Sequence, residues 1–350
     1  MKKFTKIIVT IMVIVLSCFA LTACDNENDT TTNNDSSQET TNEKITYKIA
    51  VPDGAPALSV ANIVNGSLKS ELRENQNISL DIQKPNLIKT SVQGKKVDIA
   101  ILPTNLAYNL YKASIKNNDS DPYIMIGTAT YGNLYIVGKN AHANFQDLKG
   151  KTLYSIGRDM IPHKILEKVA TANSLELNIL NDNQTIASNK INVKFVADVF
   201  SAIEADKNAE VFGLLGEPAV TVAKAKKGLK PCFDMQALYK DATNSTATDY
   251  PQAVVIARKS FITQNNAFVT TFMKNMVANQ TFIVENKADL TNILQNNTYG
   301  TKSTSGFPAP SIEKCAIKVK TASSAKEEVK TLLNNFDLTV EDGFFSDLTF

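Results

Sequence analysis

Two stretches of this chain run through the same succession of elements, and that succession limits the fold more than any bulk property. The first opens at residues 47–63. Tyr47 to Val51 alternate as a short strand, and Pro52-Asp53-Gly54 breaks the ladder and turns the chain. Pro56 falls in the first turn of a following helix, where its missing N–H costs little. Leu58, Ala61 and Ile63 continue with helix-like spacing. Free N–H groups at such a helix start face whatever fills the loop, which suits a small ligand or an anion.

The rest of the first half follows in order. Residues 77–83 alternate as a strand, and 87–93 read as a short helix ended by Gly94. Residues 97–102 form a buried strand that stops at Pro103, and Thr104 is placed to cap the next helix. Residues 123–137 read as one long strand leaving a first lobe for a second, punctuated by Gly127 and Gly132. The second half repeats the plan. A strand over 151–156 leads into Gly157-Arg158-Asp159-Met160 and a helix over Ile161–Ala172. A strand over 191–196 precedes Asp198, which caps a helix over Val199–Ala205. Residues 210–215 form a buried strand broken at Gly216-Glu217-Pro218, and Ala219–Lys227 is a helix. Strands over 229–235 and 252–257 follow, the second returning the chain to lobe one. Residues 261–294 read as a pair of helices, and the tail as a strand-like 315–319, a helix over 325–335 and an apolar Phe344-Phe345. The fold class is α/β, in two lobes, each a mainly parallel sheet flanked by helices.

Length and a 43% hydrophobic content are enough for two cores. The formal charge is +2, and Lys2, Lys3 and Lys6 stand in a basic head that precedes an apolar run from Ile7 to Ala23. No basic field remains for nucleic acid. Small residues before Cys24 give the run a lipoprotein cleavage pattern, so 1–23 is expected as a signal peptide and Cys24 as the lipidated first residue. Lipid on Cys24 would hold the chain at the extracytoplasmic face of a bacterial cell membrane. Residues 24–44 are polar and read as a tether, residues 45–132 with 252–350 as lobe one, and 133–251 as lobe two. Cys232 and Cys315 either pair or remain as buried thiols.

Ligands of open α/β sheets bind beyond the carboxyl ends of the strands. That rule selects Asp53, Gly54 and Ala55; Thr104 and Asn105; Thr130 and Tyr131; Arg158 and Asp159; and Glu217. Arg158 either forks onto a carboxylate, sulfonate or phosphonate or pairs with a neighbouring acid such as Asp159. Glu217 either receives an amine or pairs with a lysine, and Thr104 and Asn105 either bind ligand or cap their helix. His142 and His163 are the only histidines, and neither has a metal-ligand spacing around it, so no metal and no cofactor are expected. No Gly-x-Ser-x-Gly and no phosphate-binding glycine loop occurs.

Cys24, Val51-Pro52-Asp53-Gly54-Ala55-Pro56-Ala57, Gly94-x-x-Val97-Asp98-Ile99-Ala100, Gly216-Glu217-Pro218-Ala219 and Tyr250-Pro251-Gln252 together resemble ABC-transporter substrate-binding lipoproteins, within these the nitrate/sulfonate/thiamine-precursor type. The likeness runs from about Lys44 to the C-terminus, although the Gly-Gly segment of Gram-positive members is missing from the tail. The resemblance implies the periplasmic-binding-protein fold, two crossover segments, a ligand held between the lobes, a permease and its ATPase as partners, a monomer and no catalysis. Arg158 then favours an anionic or zwitterionic ligand, sulfonate-like or pyrimidine-like. The competing expectations are a pyrimidine-cleaving or C–S-cleaving enzyme using Cys232 on the same fold, and a ligand-sensing surface lipoprotein.

Overall fold

The structure, a computed structural model, describes residues 44–350 apart from 182–183, 208–209 and 248. The expected signal peptide, Cys24 and most of the tether lie outside the described residues. Eleven strands are formed: β1 (Ile45–Pro52), β2 (Gln76–Gln83), β3 (Ile99–Pro103), β4 (Tyr123–Tyr131), β5 (Leu134–Gly138), β6 (Thr152–Ser155), β7 (Leu177–Ile179), β8 (Ile191–Phe195), β9 (Val211–Gly216), β10 (Lys230–Asp234) and β11 (Pro251–Arg258). They make two sheets, ordered β2-β1-β3-β11-β4 and β10-β5-β9-β6-β8-β7. β1 runs parallel to β2 and β3, and β6 parallel to β8 and β9. Each sheet holds one antiparallel strand, β11 in the first and β5 in the second.

Those two strands are the ones that follow a passage between the sheets. Only Gly132 and Asn133 separate β4 from β5, and the chain comes back at Pro251. Glycine is required at the first passage, because a Cβ on Gly132 would stand 2.8 Å from Gln236 Cγ and 3.0 Å from the Tyr250 ring. The expected single strand over 123–137 is therefore two strands in different sheets. Between them Gln236 grips β5 by its main chain, accepting from Leu134 N and donating to Leu134 O.

β2 and β4 are both edge strands, yet β2 alternates whereas β4 is buried along its whole length, with Ile317, Thr321 and Phe345 of the tail bridged to it. The first sheet packs into one continuous core that includes Leu58, Ile88, Tyr108, Phe272 and Phe344. The second sheet is covered by two smaller clusters, one around Leu153, Ile165 and Phe212 and the other around Val199, Ile203 and Val220. The helix Ala322–Asn334 belongs to both lobes: Val329 and Leu333 lie in the first core and Leu332 in the second.

Helix ends explain several local outcomes. Asp198 caps Val199–Ala205 by accepting from Phe200 N and Ser201 N, as expected. Asp234 does the same for Met235–Thr243, a helix the sequence reading left out. Thr104 is not a cap: its hydroxyl donates to Pro251 O at 2.6 Å, and Pro103 takes the cap position. The expected helix pair over 261–294 is three helices, Lys259–Gln264, Asn266–Glu285 and Leu290–Gln295. Residues 315–319 form no strand of their own; Cys315 ends a short turn, and Ile317 and Thr321 bridge to the edge of β4. Cys232 and Cys315 are both free thiols. No helix among the described residues is long and apolar enough to cross a membrane.

Candidate functional site

The loops selected from the sequence stand at the ends of β1, β3 and β4 in one sheet and of β6 and β9 in the other. The two groups touch. Asn105, buried at the start of the helix Thr104–Lys116, donates from Nδ2 to the Asp159 carbonyl of the opposite lobe at 2.7 Å. Thr104 beside it is turned onto Pro251 and is occupied there.

Asp53 is committed within its own lobe. Its carboxylate accepts from Ser303 Oγ at 2.6 Å, from Thr304 N at 2.9 Å and from Thr304 Oγ1 at 2.6 Å, besides the N–H of Gly54. Burial pushes this carboxyl up, but the donors from Ser303 and Thr304 outweigh it and hold the group below the usual carboxylate range. Gly54 has φ +92° and admits no other residue without strain, and it opens the four-residue helix Ala55–Leu58. Asp53 is thus a clip between the β1 loop and residues 303–304 rather than a free ligand contact.

Thr130 and Tyr131 close β4. Thr130 is fully buried, and its Oγ1 has no partner among the described residues. Tyr131 reaches the other way, donating to Glu328 of the helix Ala322–Asn334, with Lys318 Nζ 4.5 Å from its ring centroid. Burial and then Glu328 push the Tyr131 phenol up. Tyr131 therefore fastens the tail to β4.

In the second lobe Arg158 and Asp159 are exposed, and of the alternatives read for these residues neither a lysine partner for Glu217 nor an Arg158–Asp159 ion pair forms among the described residues. Asp159 takes a left-handed φ of +62° after Gly157 at +72°. Its N–H donates to His163 Nδ1 at 3.1 Å, so that helix's buried histidine holds the loop. Burial lowers the His163 pKa, against the pull of Glu167. Glu217, nearly fully buried, accepts from Thr221 N at 3.0 Å and Thr221 Oγ1 at 2.9 Å.

Two residues outside the sequence selection complete the arrangement. Asn133, between β4 and β5, donates from Nδ2 to Cys315 O and accepts from Gln252 Nε2 at 2.9 Å on Oδ1. Its carbonyl accepts from Glu217 N at 3.0 Å. A Cβ on Gly216 would stand 2.9 Å from Asn133 Oδ1, so glycine keeps that amide in place. Gln252 stood in the motif Tyr250-Pro251-Gln252, and Asn133 directly after the glycine that ends β4; both signals were present in the sequence. Gln252, Asn133 and Glu217 are thus joined by hydrogen bonds where the chain passes between the sheets.

No protein-family model and no curated protein matches the chain. Solved structures do match. An ABC transporter protein from Parabacteroides distasonis is 20% identical with a TM-score of 0.66, over 88% of this chain and 100% of that one. The alkanesulfonate-binding protein SsuA from Xanthomonas axonopodis pv. citri, bound to MOPS, is 12% identical with a TM-score of 0.60, over 84% and 93%. The periplasmic nitrate-binding protein NrtA from Synechocystis PCC 6803 is 12% identical with a TM-score of 0.58, over 86% and 84%. The chain shares the two-lobed α/β fold of these proteins.

Proposed function

We propose that this chain is the solute-binding protein of an ABC importer, capturing a small organic molecule between its lobes and delivering it to a permease and its ATPase. One observation carries the reading: strand-end loops of two separate sheets meet at Asn105 and Asp159, and buried polar atoms at that end of the first sheet, among them Asn105 Oδ1, have no partner among the described residues. A site made from two lobes lets a ligand stabilise their closed arrangement by bonding to both. The fold shared with nitrate- and alkanesulfonate-binding proteins supports it. In this reading the chain works as a monomer at the extracytoplasmic face of a bacterial membrane, held there by lipid on Cys24.

An anionic or zwitterionic ligand would rely on Arg158, whose side chain is exposed and makes no ion pair among the described residues. The enzyme alternative would rely on Cys232. Burial pushes that thiol, on the edge strand β10, up, and its Sγ donates to the carbonyls of Lys230 on the same strand and of Asn140 after β5, both at 3.3 Å. Neither feature favours a nucleophile.

Mass spectrometry of the chain purified under non-denaturing conditions, followed by analysis of what denaturation releases, tests the reading. A single small molecule at near-stoichiometric amount is expected, returned unchanged after incubation. Its absence from preparations made on rich medium removes the receptor reading, and turnover lost in Cys232→Ser replaces it with the enzyme.

A further inference from the structure

Asn105 Oδ1, Gln252 Oε1 and Thr130 Oγ1 are buried with no partner among the described residues. The sheet register gathers them at one end of the first sheet. Ala253, next to Gln252, lies opposite both Pro103 and Thr130, and Asn105 follows two residues after Pro103.

The chemistry of the free atoms is fixed by what their amides already hold. The Asp159 carbonyl can only accept, so Asn105 must present its NH2 there and leave its oxygen free. The Cys315 carbonyl can only accept, so Asn133 gives it Nδ2. Asn133 Oδ1 must then take the NH2 of Gln252, which leaves Gln252 Oε1 free. Turning either amide round would set oxygen against oxygen. Both free ends are therefore acceptors, and a buried acceptor without a donor is costly.

Charge points the same way. Glu217 is the one acid among the buried side chains of the described residues, and no lysine or arginine is buried there. Glu217 is joined to the cluster through its N–H on Asn133 O. Its carboxylate receives two bonds from Thr221 and makes no ion pair among the described residues.

We propose that this cluster takes a small ligand through the ligand's own N–H donors: a cation of amine or amidine type, or a neutral amide. The proposal rests on the solute-receptor reading and names its substrate class. Asn105 links recognition to closure, since the amide that accepts from the ligand also holds Asp159 of the opposite lobe.

The test is a set of thermal shifts and calorimetric titrations of the full chain in detergent with acetamidine, 1,4-diaminobutane, urea, nitrate and ethanesulfonate. Acetamidine or diaminobutane is expected to stabilise the chain, and nitrate and ethanesulfonate are not. Glu217→Gln should weaken the cation about 10-fold or more, since charge-assisted bonds exceed neutral ones. Thr130→Val removes a hydroxyl that no described residue uses, so it should leave the unliganded melting temperature unchanged while weakening the same probe about 5-fold. Stabilisation by the anions alone overturns the donor-ligand assignment and leaves the receptor reading standing. Stabilisation by none of the five also overturns it, and the receptor reading is then decided separately by the mass-spectrometric recovery. Equal affinity in Glu217→Gln and Thr130→Val removes this cluster as the site.

Discussion

In the first lobe the loops after the strands are tied back into their own lobe, by Asp53 onto Ser303 and Thr304 and by Thr104 onto Pro251. The corresponding loop of the second lobe, Gly157-Arg158-Asp159, is exposed. Its hydrogen bonds run to the His163 ring behind it and to Asn105 across the gap. The cores differ in the same sense, one continuous cluster against two smaller ones. Two halves built to one strand plan thus differ: the strand-end loops of the first are held within their own lobe, and that of the second is held partly by contact with its opposite.

The strongest way to break this comparison is to damage each core in turn. Phe272→Ala should cost about 3–5 kcal/mol and Leu153→Ala about 2–5 kcal/mol, both side chains being fully buried. Denaturant unfolding followed by two probes checks this. If the lobes differ as described, Leu153→Ala should separate an early transition of the second lobe from the first, and Phe272→Ala should not.

Smaller in effect, Asp53→Asn should cost about 1–3 kcal/mol, because donors from Ser303 and Thr304 lose a charged acceptor. The sign of its pH dependence follows from the lowered folded value. The clip contributes fully above the unfolded carboxylate range and fades as pH falls through the folded value. Wild type should therefore lose stability relative to Asp53→Asn on acidification; parallel curves would mean the clip is not ionised.

Asn105→Ala should weaken ligand binding about 5-fold, the worth of roughly one hydrogen bond, and loosen the closed arrangement seen by small-angle scattering. Smallest of all is Arg158→Ala, expected to change affinity by less than about 3-fold because an exposed, screened guanidinium contributes little. A loss of 10-fold or more would return the site to an anion and make the second lobe the dominant one.

The elements were legible wherever a cap, a proline or a glycine marked an end. Ile161–Ala172, Val199–Ala205 and Ala219–Lys227 have the bounds read from the sequence. Met235–Thr243 was missed because its start overlaps the end of an apolar strand, and Asp234 reads equally as a strand end or a cap. The division of residues 123–137 was hidden because both strands are apolar, and only packing against Gln236 and Tyr250 decides that Gly132 is a passage. The rule of strand ends selected Asn105, Thr130 and Glu217, and all three are buried there. It overrated Asp53 and Tyr131, whose tethers lie 250 and 197 residues away in sequence. Asn133 and Gln252 carry local signals, a glycine before the one and a Tyr-Pro-Gln motif around the other, but the amide chain that joins them spans 119 residues and ends on a main-chain carbonyl, so the signals alone do not pair them.

β11 lies between β3 and β4, yet it is made after every strand of the second sheet. While the chain emerges from the ribosome, β4 has no neighbour to pair with in its own sheet until residue 258 is out. The first half must wait, with an open slot in its middle, for the second half to be synthesised. Chains of such non-local pairing close slowly and leave unpaired edges exposed meanwhile. Any machinery that meets this chain before β11 is in place handles an unfinished sheet rather than a folded lobe.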